Sequence, residues 1–155
     1  MTRRPAGARQ GLPVLYVYAA RRRRLIEAVS AARPGVSLIP AYAAGTVRAE
    51  AAYGGADVRG MPRYNTVMLV VAVLRDRLEV WVPKDDQPRW TVMRTGADIG
   101  IVRLPIGNST QPAIRVTDGT RSVSFVPYHE GLGRAARLEK ALRDLGEDST
   151  DHLEP

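Results

Sequence analysis

Residues 67–82 read VMLVVAVLRDRLEVWV: eight apolar residues in a row, half of them β-branched, a short charged break, then Leu78, Val80 and Val82 alternating with Glu79 and Trp81. Eight is far short of the ~20 that cross a bilayer as a helix. A run of that length bounded by a turn reads as a strand buried on both faces. With Arg75 and Asp76 as a two-residue turn, Val73 opposes Leu78, Val71 opposes Val80 and Leu69 opposes Val82. One face of the hairpin is then apolar throughout, and a slip of one residue would destroy that match. Trp81 falls on the other face, beside Val70 and Ala72, so this face also needs a cover. Two covers are available: a helix carrying Leu25, Ile26 and Val29, or a partner protein docking at Trp81 and Val70.

Further strands are expected from Trp90 to Arg94 and from Gly100 to Leu104, with residues 105–112 as a loop. Asp118-Gly119 is the strongest turn signal in the chain. As a two-residue turn it pairs Ile114 with Val123 on the core side and Arg115 with Ser122 toward solvent. About six short antiparallel strands therefore occupy residues 67–126. A helix over residues 132–145 follows, its apolar stripe formed by Ala135, Leu138, Leu142 and Leu145, with Gly146 as its stop. Upstream, residues 19–32 have helical spacing, and Pro34-Gly35 ends them. Residues 36–63 are broken by Pro40, Gly45, Gly54, Gly55, Gly60 and Pro62 and read as a connector with at most one short strand. The expected organisation is a basic arm, helix and connector over residues 1–63, a β domain with a capping helix over 64–146, and an acidic tail over 147–155. The fold class is α+β, mainly β: an antiparallel curled sheet or small barrel with a C-terminal capping helix and an N-terminal helical extension. A length of 155 residues suits one such domain.

Charge is unevenly placed. Of 23 basic residues only Lys84 and Lys140 are lysines, and residues 1–63 hold 11 arginines against Glu27, Glu50 and Asp57. Arg21, Arg22, Arg23 and Arg24, with Arg3 and Arg4, are the candidate contacts to an anionic surface. Four consecutive residues fan around a helix, so they form no single flat patch. The bland alternative is a solvated helix in an arginine-biased chain. Tyr16, Tyr18 and Tyr42 could stack on bases, or fill the core. The apolar stretch 12–20 contains Pro13, spans nine residues and runs into the four arginines, which makes it a poor secretory leader. The chain has no cysteine, which excludes disulfides, thiolate metal sites and a cysteine nucleophile. A cytoplasmic protein, possible at the periphery of a membrane, is the expectation.

Catalytic motifs fail on context. Residues 131–136, GLGRAA, match a dinucleotide fingerprint before a helix, but no second parallel strand can follow in what remains of the chain. His129 and His152 have no metal-ligand partners at suitable spacing. No serine stands in a nucleophile elbow. Asp85 and Asp86 read as loop-solubilising carboxylates. No catalytic residue, metal site or cofactor is expected.

The segments VAVLRDRLEVWV, WTVMRTGADIGIVRL and IRVTDGTRSVSFV, followed by GLGRAARLEKALRDLG, resemble over residues 67–145 the bacterial pleckstrin-homology-like barrels, in which a terminal helix plugs a curled meander. The family has seven strands, and the seventh is to be sought in residues 36–58. The resemblance implies a binding or scaffold role without catalysis. It does not bring a lipid-headgroup pocket, because the long basic loop that some relatives use is here the tight Arg75-Asp76-Arg77. The expected function is a non-catalytic adaptor that binds a protein partner, with an anionic membrane surface as a further contact of the arm. The alternative is a nucleic-acid-binding protein using the Arg-rich N-terminal region.

Overall fold

In the computed structural model, residues 11–63 and 65–146 are described. They form α1 (Gly11–Ala32), β1 (Ser37–Ala43), α2 (Val47–Tyr53), β2 (Val67–Val73), β3 (Arg77–Trp81), β4 (Trp90–Met93), β5 (Asp98–Ile106), β6 (Ser109–Thr117), β7 (Ser122–Pro127) and α3 (Arg134–Asp144). The strands make one antiparallel sheet in the order β4-β3-β2-β1-β7-β6-β5. The sheet curls into a half-barrel, and the class is α+β with β predominating. Arg3 and Arg4, like the tail 147–155, lie outside the described residues.

The β2–β3 hairpin has the register its apolar pattern dictates: Val73 opposes Leu78 and Val71 opposes Val80. The Leu74 N–H donates to the Arg77 carbonyl, closing the turn around Arg75 and Asp76. The inner faces of β1, β2, β3, β4, β6 and β7 meet in one core with Val47 and Ala51 of α2, Ala141 of α3 and Leu145, which caps α3. On α3 the buried stripe uses Ala141 in place of the expected Ala135, which is exposed. Gly146 follows with φ +84, a left-handed stop that glycine adopts without a steric penalty.

The segment read as a connector supplies the seventh strand sought in residues 36–58, and that strand is central. β1 pairs with β2 along its whole length, from Ser37↔Val73 to Ala43↔Val67, and it meets β7 at Ala41 and Tyr42. The expected boundary at residue 64 therefore divides no core. Pro40 sits in this strand because its carbonyl accepts from the Tyr128 N–H. Its ring nitrogen faces the same side and has no hydrogen to give back, so the reciprocal bond is missing and the β1–β7 register ends at Ala41. The expected loop 105–112 is likewise strand: Ile106 and Ser109 pair across Gly107-Asn108. Pro105 lies on the edge strand β5, and Pro112 precedes the β6–β7 ladder, which starts at Ile114. The β6–β7 connection has four residues, not two, so Ile114 opposes Phe125 and Arg115 opposes Ser124. The shift is even, so Ile114 and Val123 still face the core. The Asp118 carboxylate holds the longer loop by accepting from the backbone of Thr120 and Arg121.

No ladder joins β4 to β5. Side chains tie β4 to the β6–β7 turn instead. Trp90 Nε1 donates to the Ser122 carbonyl at 3.1 Å, Asp118 accepts from the Met93 N–H at 2.9 Å, and Arg121 donates to Thr91 Oγ1 at 3.0 Å. Arg94 donates to the carbonyls of Leu74 and Leu145, pinning the end of α3 to the β2–β3 turn. A cation at a helix C-terminus also meets the negative end of its dipole.

Candidate functional site

The outer face of β2 and β3 is covered from within the chain. Leu25 and Val29 of α1 are buried against Met68, Val70, Ala72 and Trp81, with Ile26 alongside. Trp81 is 1 % exposed. A docking site at Trp81 and Val70 is therefore corrected: both lie beneath α1, which supplies the cover their apolar face requires. The far end of α1 is latched by charge. Arg33 grips Glu79 through two bonds, Nε to Oε1 at 2.8 Å and Nη2 to Oε2 at 3.1 Å. Arg77 reaches the same Oε2 at 3.3 Å. Glu79 is 1 % exposed, so two guanidinium groups balance one buried carboxylate.

The four consecutive arginines part company on α1. Arg22 lies over the Tyr128 ring at 3.8 Å and the Tyr42 ring at 5.4 Å, and Arg137 approaches Tyr128 at 4.4 Å. Such cation–π contacts hold a guanidinium in place, so Arg22 is a packing residue, and Tyr42 and Tyr128 are its partners. Burial raises the Tyr42 hydroxyl above its ordinary value, against the lowering pull of the Arg22 charge. Arg21, Arg23 and Arg24 are exposed. Arg21 and Arg24 line a groove with Leu25, Ala28, Pro83, Lys84 and Asp85. Asp85 does not merely solubilise its loop. It holds Arg89 through Nη2–Oδ1 at 2.7 Å and accepts from the Val82 N–H.

His129 stands at the β7–α3 junction beside Tyr128. Burial, then the nearby Lys140 and Arg137 charges, hold its imidazole below the ordinary value against the opposing Asp144. Gly131 has φ +79 and Gly133 caps α3 in an extended conformation. The loop leads from antiparallel β7, so the dinucleotide motif lacks the parallel strands it needs. Among the described residues no group of three or more acidic or histidine side chains is arranged to hold a metal ion. Ser122 and Ser124 do not point freely to solvent: both donate to Glu50 Oε2 of α2, at 2.8 and 3.2 Å.

The feature that residue-by-residue reading passed over is β5. It is nine residues long, pairs only with β6, and lies at one end of the sheet. Every second backbone N–H and C=O on such an edge has no ladder partner. Gly100, Ile101, Arg103 and Pro105 are exposed. Ile101 is 54 % exposed although it opposes the fully buried Ile114. It thus lies on the core-facing side of the sheet, where β5 overhangs the core. Beside it, the open seam between β4 and β5 is a cleft of about 290 Å³ lined by Arg75, Leu78, Arg94, Ala97, Ile99 and Leu145 among others. The sequence signal for this edge was Pro105, which is tolerated in strands mainly at edges.

Comparison with family models, curated proteins and solved structures finds no match for this chain.

Proposed function

We propose that this chain is a non-catalytic interaction module of the pleckstrin-homology-like kind, and that its protein partner adds an extended segment along β5. The observation that carries this reading is the free nine-residue edge with Ile101 half out in solvent. Strand addition draws affinity from backbone hydrogen bonds and specificity from pockets for alternate side chains. The unpaired edge offers the first, and the cleft beside Ile99 and Leu145 offers the second. The seven-strand order and the terminal helix are compatible with the superfold, and a scaffold of this kind commonly carries binding in place of chemistry.

The experiment is affinity capture from native lysate, followed by hydrogen exchange on the purified pair. Slowed exchange confined to residues 98–106, and loss of capture with Ile101→Lys, supports the reading. A partner that leaves β5 exchange unchanged contradicts it.

The second reading is nucleic-acid binding through the N-terminal region, and it rests on Arg21, Arg23 and Arg24 being exposed. It predicts affinity that falls steeply with salt, and it loses the contribution of Arg22, which is committed to the tyrosines.

A further inference from the structure

Residues 11–20 of α1, GLPVLYVYAA, carry no charge, and four arginines follow at once. On a helix, Tyr18, Leu25 and Val29 share one face, at i, i+7 and i+11. Leu25 and Val29 are 3 % and 0 % exposed, whereas Tyr18 is 51 % exposed. The same stripe therefore passes from sheet to solvent, because α1 outruns the edge of the half-barrel. Val17 is 50 % exposed. It aligns with Arg21 and Arg24, at i, i+4 and i+7, on the flank of that stripe. Arg21 lines two adjoining grooves, one with Tyr18, Thr66, Met68 and Lys84, the other with Arg24, Leu25 and Lys84.

The charge of this region is positive. Arg21, Arg24 and Lys84 stand together, and Asp85 is bound to Arg89. Asp86, next along the loop, is exposed and trims the surplus. Lys84 is held in a left-handed conformation, φ +73, by the turn that Asp85 organises. Uncovered apolar side chains followed by a rim of cations match the layering of an anionic bilayer: acyl chains below, phosphates above. A nucleic-acid backbone would satisfy the cations and leave Val17 and Tyr18 without a role.

The geometry points to a docking surface for an anionic phospholipid bilayer, formed by Val17 and Tyr18 of the overhanging α1 with Arg21, Arg24 and Lys84 as its phosphate contacts. It is separate from the β5 edge and does not depend on it. Among the described residues no helix is long and apolar enough to cross a membrane, so the contact is interfacial.

The test is sedimentation of the full chain with vesicles of phosphatidylcholine alone and with about 30 % phosphatidylserine. Three proteins are compared: wild type, Arg21→Glu/Arg24→Glu and Val17→Asp/Tyr18→Asp, with circular dichroism to show that each is folded. The wild type is expected to bind only the anionic vesicles, less so at high salt. Removing either set is expected to weaken binding about tenfold or more, since each cation near the surface contributes severalfold and the apolar pair contributes the area that it buries in the interface. Absence of wild-type binding overturns the proposal. So does binding that a DNA duplex displaces and that survives Val17→Asp/Tyr18→Asp, which would assign the cations to nucleic acid. A dimer that the same apolar substitutions dissociate, without vesicle binding, would assign the helix to a second copy of the chain.

Discussion

Glu79 shows why a buried charge must be judged by what is left when a partner goes. Its carboxylate is sealed under α1, while Arg33 and Arg77 keep about a third of their side-chain surface, 31 % and 34 %. Glu79→Gln leaves two cations that can turn to water, and urea unfolding should show a loss of about 1–3 kcal/mol. Arg33→Met/Arg77→Met leaves an uncompensated buried carboxylate, and the loss should reach about 3–5 kcal/mol. Equal losses would mean that the carboxylate is hydrated in the native state. His129 gives a pH signature. Its imidazole is held below the ordinary 6.5, so the unfolded chain binds the proton more readily. Stability therefore falls as pH drops through 6.5 toward the folded value, and is flat above 6.5. His129→Gln should flatten a plot of Tm against pH in that window. Asp118 acts at lower pH: burial raises its carboxyl, but backbone N–H donors from Arg121, Met93 and Thr120 outweigh this and hold it below 3.8. The stability it adds is present above the unfolded value and is lost as pH falls through the folded one.

At the scale of elements, α1 is two things in one helix. From Arg22 onward it packs on the sheet and on Tyr128, and at Val17 and Tyr18 it stands out in solvent. Leu25→Ala should cost about 2–5 kcal/mol, as deletions in a packed core do. Val17→Ala should stay within about 0.5 kcal/mol, as exposed changes do. Thermal unfolding of the two variants separates the halves of the helix. The β2–β3 hairpin was legible in the sequence because two apolar faces and a short turn admit one register. β1 was legible only as a seventh strand to be sought in residues 36–58: Pro40 and the small residues around it look like a break, and the carbonyl bond to Tyr128 shows that the proline sits where the short β1–β7 ladder ends. The same holds for residues 105–112, where two prolines sit at positions that need no ladder N–H. The cover over Trp81 was legible as a choice between α1 and a partner, and packing decides for α1. The split of the four arginines was legible as a fan, but the tyrosine pair that captures Arg22 comes from β1 and from the residue just after β7. β5 as an edge left one sequence signal, Pro105, and no more, because strand order follows from long-range closure and not from local pattern.

For the whole molecule, β1 is the keystone. It joins the β2–β3–β4 side to the β5–β6–β7 side, so the chain from α1 to α3 should unfold as one cooperative unit with no separable N-terminal part. Native-state hydrogen exchange on the free protein tests this most directly. The amides of Ile39, Ala41 and Ala43 should rank with those of β2 among the slowest, opening only with global unfolding. Alternate amides of β5 should be the fastest of any strand. Exchange of residues 37–43 at loop-like rates, or uniform protection across residues 98–106 in the free monomer, would contradict both the central strand and the open edge.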